Sequence, residues 1–119
     1  MYTLHIGGFI MKTAIIGSRN LKVKLAKYLP KDISLIVSGG ARGIDTLAED
    51  YADRNKIPKL IFLPDYEKYG KIAPLIRNKA IVDNANIVIA FWDGISRGTK
   101  FTIDYAKKQG KKVIMNLIK

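Results

Sequence analysis

The stretch "IVSGGARGID", residues 36–45, carries an apolar run into three glycines within five residues and then into a helical pattern beginning near Arg42. A strand that ends on bare backbone and passes directly into a helix is the βα turn of a parallel α/β sheet. Glycine allows backbone conformations closed to other residues and lets a ligand touch the chain. The helix that follows offers unpaired N–H groups and the positive end of its dipole. Together these features make a seat for an anion, above all a phosphate. Gly39, Gly40 and Gly43 are therefore expected to leave room for a phosphate or ribose, with Arg42 beside it.

Working outward, five apolar runs read as strands: "TAIIG" (13–17), "ISLIVSG" (33–39), "PKLIFLP" (58–64), "NIVIAFW" (86–92) and "KKVIMNLI" (111–118). They are continuous rather than alternating, as in strands covered on both faces. Helical patterns alternate with them. The clearest is Ile44, Leu47, Ala48, Tyr51 and Ala52, spaced i, i+3, i+4, i+7, i+8. Others are expected over 20–29, 71–84 and 98–109, with Pro30 and Gly110 as stop signals. The expectation is an α/β fold: a Rossmann-like three-layer sandwich with a mainly parallel sheet of about five strands. Ligands of such sheets bind outside the carboxyl ends of the strands. Residues 11–119 form the domain, and residues 1–10 read as a short extension before "MKTAIIGSRN", with an edge strand as the alternative.

The 119 residues suit one domain, and the 48% hydrophobic content suits a globular core. There is no cysteine and only one histidine, His5, which excludes disulfides and disfavours thiolate or imidazole metal centres. No apolar run reaches the ~18 residues of a membrane helix. The start lacks a signal-peptide pattern, so a cytoplasmic location is expected. Net charge is +11, from 21 Lys and Arg against 10 Asp and Glu. Such a surface attracts phosphates, on a nucleic acid or on a small nucleotide. The basic residues are scattered, with lysine pairs at 107–108 and 111–112, rather than focused in a stripe. Self-association is a further expectation, because a small sheet leaves apolar helix faces to cover.

The loops at the carboxyl ends read "GSRN" (17–20), "SGGARGID" (38–45), "LPDYEKYG" (63–70) and "WDGISRGTK" (92–100). The dinucleotide fingerprint GxGxxG is missing from the first turn, and no acid closes strand two, which disfavours an NAD dehydrogenase. No GxxxxGK[ST] P-loop occurs either.

With "IRNK" (76–79) between the last two loops, these motifs resemble, in the same order, the YspA-like branch of the SLOG superfamily. That superfamily groups the DNA-processing Smf/DprA proteins with the LOG nucleotide phosphoribohydrolases. The resemblance covers residues 11–119. It implies a Rossmann-like fold and a pocket for a nucleotide such as ADP-ribose or an NAD derivative. Carried over by motif, the ligand-binding residues are Gly17, Ser18 and Arg19; Gly39, Gly40, Arg42, Gly43 and Asp45; Arg77 and Asn78; and Ser96, Arg97, Gly98, Thr99 and Lys100. Two positions depart from the pattern. Pro74-Leu75 stands where the family tends to carry Gly-Pro, and Thr102 stands where LOG enzymes carry the glutamate of their GTxxE box. Asp104 lies two residues on, roughly 200° around a helix, and is expected to face elsewhere.

Individual roles follow from chemistry. Ser96 or Thr99 can cap the fourth helix while its amides hold a phosphate. Arg77, Arg19 and Arg97 can make bidentate contacts with phosphate oxygens. Asp45 can accept from a ribose hydroxyl, or merely favour the helix dipole. Trp92 can stack on an adenine, although such a residue more often closes a core or an oligomer contact. No Ser–His pair, Cys nucleophile or histidine base is present, so no catalytic residue is assigned. The leading expectation is a small-nucleotide binding or sensing domain; single-stranded nucleic-acid binding comes second and nucleotide hydrolysis last.

Overall fold

The computed structural model describes residues 11–119; the expected extension at residues 1–10 lies outside them. Five strands follow the five apolar runs: β1 (Lys12–Gly17), β2 (Leu35–Gly39), β3 (Lys59–Phe62), β4 (Ile87–Trp92) and β5 (Lys112–Leu117). They form one parallel sheet in the order β3-β2-β1-β4-β5. The chain order reverses direction between β1 and β4, paired through Ile15 and Ile89. Loops leaving that junction diverge to opposite faces, which opens a crevice at the carboxyl ends.

Successive strand residues bury themselves on alternate faces. Ile15, Ile36, Ile89 and Phe91 pack under helix α1 (Ile44–Arg54), against Ile44, Ala48 and Ala52. Ala14, Ile16, Val37, Val88 and Ala90 pack under α3 (Ala73–Asp83) and α4 (Arg97–Lys108). A short α2 (Tyr66–Tyr69) and a 3-10 turn (Gly70–Ile72) lead into α3. Pro74 lies in the first turn of α3, where its missing N–H costs no bond. Beyond α4 the chain reverses at Gly110, φ +74°, whose N–H bonds the Lys107 carbonyl.

The first crossover departs from expectation. No α-helix spans 20–29; there is only a 3-10 turn at Leu25–Lys27. Leu21, Val23 and Leu25 all pack on the α1-side core, and Lys24 has extended dihedrals of −88° and 93°. Side chains two apart share a face in extended chain and not in a helix. Burial of that alternate set therefore overrides the helical propensity of the lysines and leucines.

One core group stands unpartnered. Thr13 Oγ1 is fully buried in β1 without a hydrogen-bond partner among the described residues. Replacing it with the near-isosteric valine removes a desolvated hydroxyl. Thr13→Val is expected to raise stability by about 1 kcal/mol. A melting temperature unchanged or lowered would contradict this.

Candidate functional site

A cavity of about 370 Å³ opens at the β1–β4 junction, a size typical of small-molecule sites. Four chain segments bring side chains to it: the turn after β1, the turn after β2, α3, and the turn from β4 into α4. Nine expected residues meet there: Gly17, Ser18, Arg19, Asp45, Arg77, Asn78, Ser96, Gly98 and Thr99. The turns at 39–43 and 97–100 thus converge on one side of the molecule.

The turn after β1 is tied to the one after β4. Buried Ser18 donates its N–H to the Phe91 carbonyl at 3.1 Å, and its hydroxyl accepts from Asp93 N at 3.3 Å. Asp93 Oδ1 in turn accepts from Ile95 N (2.9 Å) and Ser96 N (2.8 Å), folding 93–96 into a closed loop. Those two amides hold the Asp93 carboxyl below its ordinary value of 3.8. Helix α4 then begins with no side-chain cap at Ser96 and no acid in its first turn. Ser96 Oγ meets Thr99 Oγ1 at 3.2 Å instead. Gly98 and Thr99, in the first turn of α4 where helix amides lack intrahelical partners, line the cavity.

Helix α1 likewise holds a negative charge of the protein's own at its N-terminal region, as Asp93 does just ahead of α4. Asp45 Oδ2 accepts from Ala41 N at 3.1 Å, and Oδ1 lies 3.2 Å from Ser38 Oγ. Burial raises the Asp45 carboxyl above 3.8, against the Ala41 amide, the charge of Arg77 and the Ser38 hydroxyl, which lower it. Arg77 reaches over from α3, buried to 9% exposure. It donates from Nε to Asn78 Oδ1 at 2.8 Å and from Nη1 to the Phe62 carbonyl at 3.4 Å. Burial lowers the Arg77 pKa and neighbouring Arg19 adds to this, whereas Asp45 and Tyr66 oppose it.

Gly39 after β2 serves a purpose other than the expected one. A Cβ on Gly39 would lie 2.6 Å from Arg77 Nη1 and 2.9 Å from Asp45 Oδ2. Its bareness admits the protein's own charged pair. Gly43, at φ +78°, abuts the Arg19 backbone, and Gly40 faces the Leu63 side chain. The space beside Gly39 is filled by the protein, whereas Gly40 and Gly43 each line a smaller neighbouring cavity.

Other expected residues fall outside the main cavity. Gly40 and Arg42 line a second, neighbouring cavity of about 220 Å³. Gly43 and Arg42 line a third, toward Lys22. Arg97 is exposed, and neither it nor Gly39 lines any of the three. Trp92 is not placed to stack on a base there. Its ring packs on the α3–α4 side core and its Nε1 donates to the Ser96 carbonyl at 2.9 Å, bracing the α4 turn from beneath. Its neighbour Asp93 lines the cavity instead, as do Asn20, Ala41, Pro74, Leu75, Ile81 and Thr102. Strand alternation could have separated Trp92 from Asp93, since consecutive residues point to opposite faces.

Where LOG enzymes carry glutamate, buried Thr102 donates its hydroxyl to the Gly98 carbonyl at 2.8 Å. Asp104 lies on the exposed face of α4, paired with Lys100 at 2.9 Å, as its angular offset implied.

The family model described as YspA, cpYpsA-related SLOG family matches residues 19–69, from the first turn through α2. The Gene 61 protein of Mycobacterium phage D29 is 37% identical over 87 residues, covering 67% of this chain and 69% of the phage protein. The chain belongs to the YspA-related SLOG family. Among solved structures, this SLOG chain shares the fold of DNA processing protein A (DprA) from Streptococcus pneumoniae, with a TM-score of 0.73 at 22% identity. The match covers 89% of this chain and 50% of that one, so the SLOG domain spans half of the longer protein. Among the described residues, no helix is long and apolar enough to cross a membrane, and no His, Cys, Asp and Glu cluster could hold a metal ion.

Proposed function

We propose that this domain binds a small nucleotide of the ADP-ribose or NAD-derived class, as a sensing or sequestering module. One observation carries the reading: the uncapped start of α4 faces the same cavity as Arg19 and Arg77. A phosphate there meets backbone amides, a helix dipole and two guanidinium groups. Asp45 and Asp93 line the same cavity and suit hydroxyl donors, as on a ribose, better than a second phosphate.

Thermal-shift and calorimetric titration with a broad nucleotide panel tests this. Saturable stabilisation in the micromolar range is expected, about 3 kcal/mol at a hundredfold excess over Kd. A flat response across the panel would end the proposal.

The charge of +11 favours a second reading, binding of a single-stranded nucleic acid. The shared fold with a protein named for DNA processing adds to it. Affinity for such a strand should then fall steeply with salt. Strand binding stronger than any nucleotide at moderate salt would favour this reading over the first.

A further inference from the structure

We propose that the outer edge of β5 docks an extended, acidic segment of another protein, which adds to the five-stranded sheet as a further strand. The site shares no residue with the main cavity, so it stands or falls independently of the nucleotide reading. β5 closes one end of the sheet and, among the described residues, pairs only with β4, from Lys112 against Ile87 to Leu117 against Trp92. The other side of its backbone therefore offers a row of unpaired N–H and C=O groups.

Edge strands are ordinarily guarded by charged side chains, bulges or a covering element. Between Lys112 and Ile118 this one carries no charge. Ile114, Met115 and Leu117 are exposed by 39%, 44% and 48%, and Asn116 turns its amide inward to the Ala90 carbonyl. A Cβ on Gly94 would lie 3.5 Å from Leu117 Cδ1, and the next residue, Ile95, is 83% exposed. Apolar surface thus runs on past the carboxyl end of the strand. The opposite edge differs: β3 is four residues long, and its Lys59 is engaged by Asp53 at 2.9 Å and Glu49 at 3.5 Å.

The amino end of β5 is basic. Lys107, Lys108, Lys111 and Lys112 fall within the reversal from α4 into β5, and none forms an ion pair among the described residues. Lys107 and Lys108 suit the negative end of the α4 dipole, whereas Lys111 and Lys112 lie beyond it. An incoming strand meets apolar surface along most of its length and four positive charges at one end. That polarity selects the occupant. A second copy brings the same charges: antiparallel pairing about Met115 would set Lys111 opposite Lys119, and like charges across a ladder repel. An acidic segment of a different chain is attracted instead. Antiparallel addition is the more stable per residue, so the matching segment alternates apolar and polar residues and carries acids at its carboxyl end. Main-chain hydrogen bonds hold it, and the lysines fix its direction.

The test is calorimetry and NMR titration of the full chain with a synthetic peptide of three Val-Thr repeats followed by three glutamates. Chemical shifts are expected to move along β5 and the preceding lysine turn, with binding about tenfold tighter than for the same peptide ending in three lysines. N-methylation of one alternate set of peptide amides, but not of the other, should abolish binding, because only one set faces the strand. Met115→Lys should abolish it as well. Lys111→Glu combined with Lys112→Glu should reverse the preference between the two peptides, with the melting temperature verifying the fold. Absence of binding, indifference to the peptide's charge or to methylation, or shifts confined to the main cavity would each overturn the docking site. So would self-association that Met115→Lys removes, which assigns the edge to a second copy. Displacement of the peptide by an oligothymidylate assigns the lysines to a nucleic acid and likewise overturns it.

Discussion

Gly43→Ala is expected to destabilise the domain by at least about 2 kcal/mol, and to weaken nucleotide binding with it. Two costs combine. The residue sits at φ +78° and ψ −123°, outside the left-handed basin, where an L side chain is strained by roughly 1–3 kcal/mol. Its new Cβ would also overlap the Arg19 carbonyl, lying 2.6 Å from the carbonyl carbon. Backbone cannot swing aside as a side-chain tip can, so the turn after β1 must move and carry Arg19 with it. Gly110 provides the control. It has a similar φ of +74° with nothing within 4 Å of its Cβ position, so Gly110→Ala should show the cost of a positive φ without a clash. Thermal melts of both variants decide the matter: equal losses would mean that neither the ψ of Gly43 nor its contact with the Arg19 turn adds anything.

Arg77→Met should abolish measurable nucleotide binding and cost about 2 kcal/mol near neutral pH. The stability loss arises at Asp45, which is 7% exposed and loses its neighbouring positive charge. The figure lies below that for a fully broken buried pair, because Asp45 keeps the Ala41 amide and the Ser38 hydroxyl beside it. The pH dependence fixes the cause. Asp45 already titrates above 3.8 in the folded protein, and loss of Arg77 pushes it further up. Between 3.8 and that raised value the folded state binds the proton more readily than the unfolded one, so stability attributable to this group rises as pH falls. The gap between variant and parent should therefore narrow on acidification through that window. Asp45→Asn in the Arg77→Met background should remove the pH dependence. A gap constant with pH would show that Arg77 acts through packing rather than charge.

Much of the fold was legible because parallel strands buried on both faces are written as uninterrupted apolar runs. Ala14–Ile16 and Ile87–Phe91 contain no solvent-facing position to confuse the pattern. The first crossover was not legible, since Leu21, Val23, Leu25 and Leu29 satisfy both an alternating and a helical spacing. Only the tertiary packing of Leu21, Val23 and Leu25 on one core selects between the two. At the site, motif order placed Arg77, Ser96, Gly98 and Thr99 in one hollow, because strand direction alone dictates which turns meet. The purpose of Gly39 and Gly43 stayed hidden. A glycine signals that something comes close without saying whether that neighbour is a ligand or a distant arginine.

The hollow's walls are drawn from residues as far apart in the chain as Ile16 and Thr102. A guest lodged there is a tie between the amino- and carboxyl-terminal halves, so it resists the parting of the whole sheet rather than the fraying of any one turn. Occupancy would then favour the finished molecule: a nascent or clipped chain lacking the fourth helix is missing one wall of the hollow, however well its earlier strands have formed.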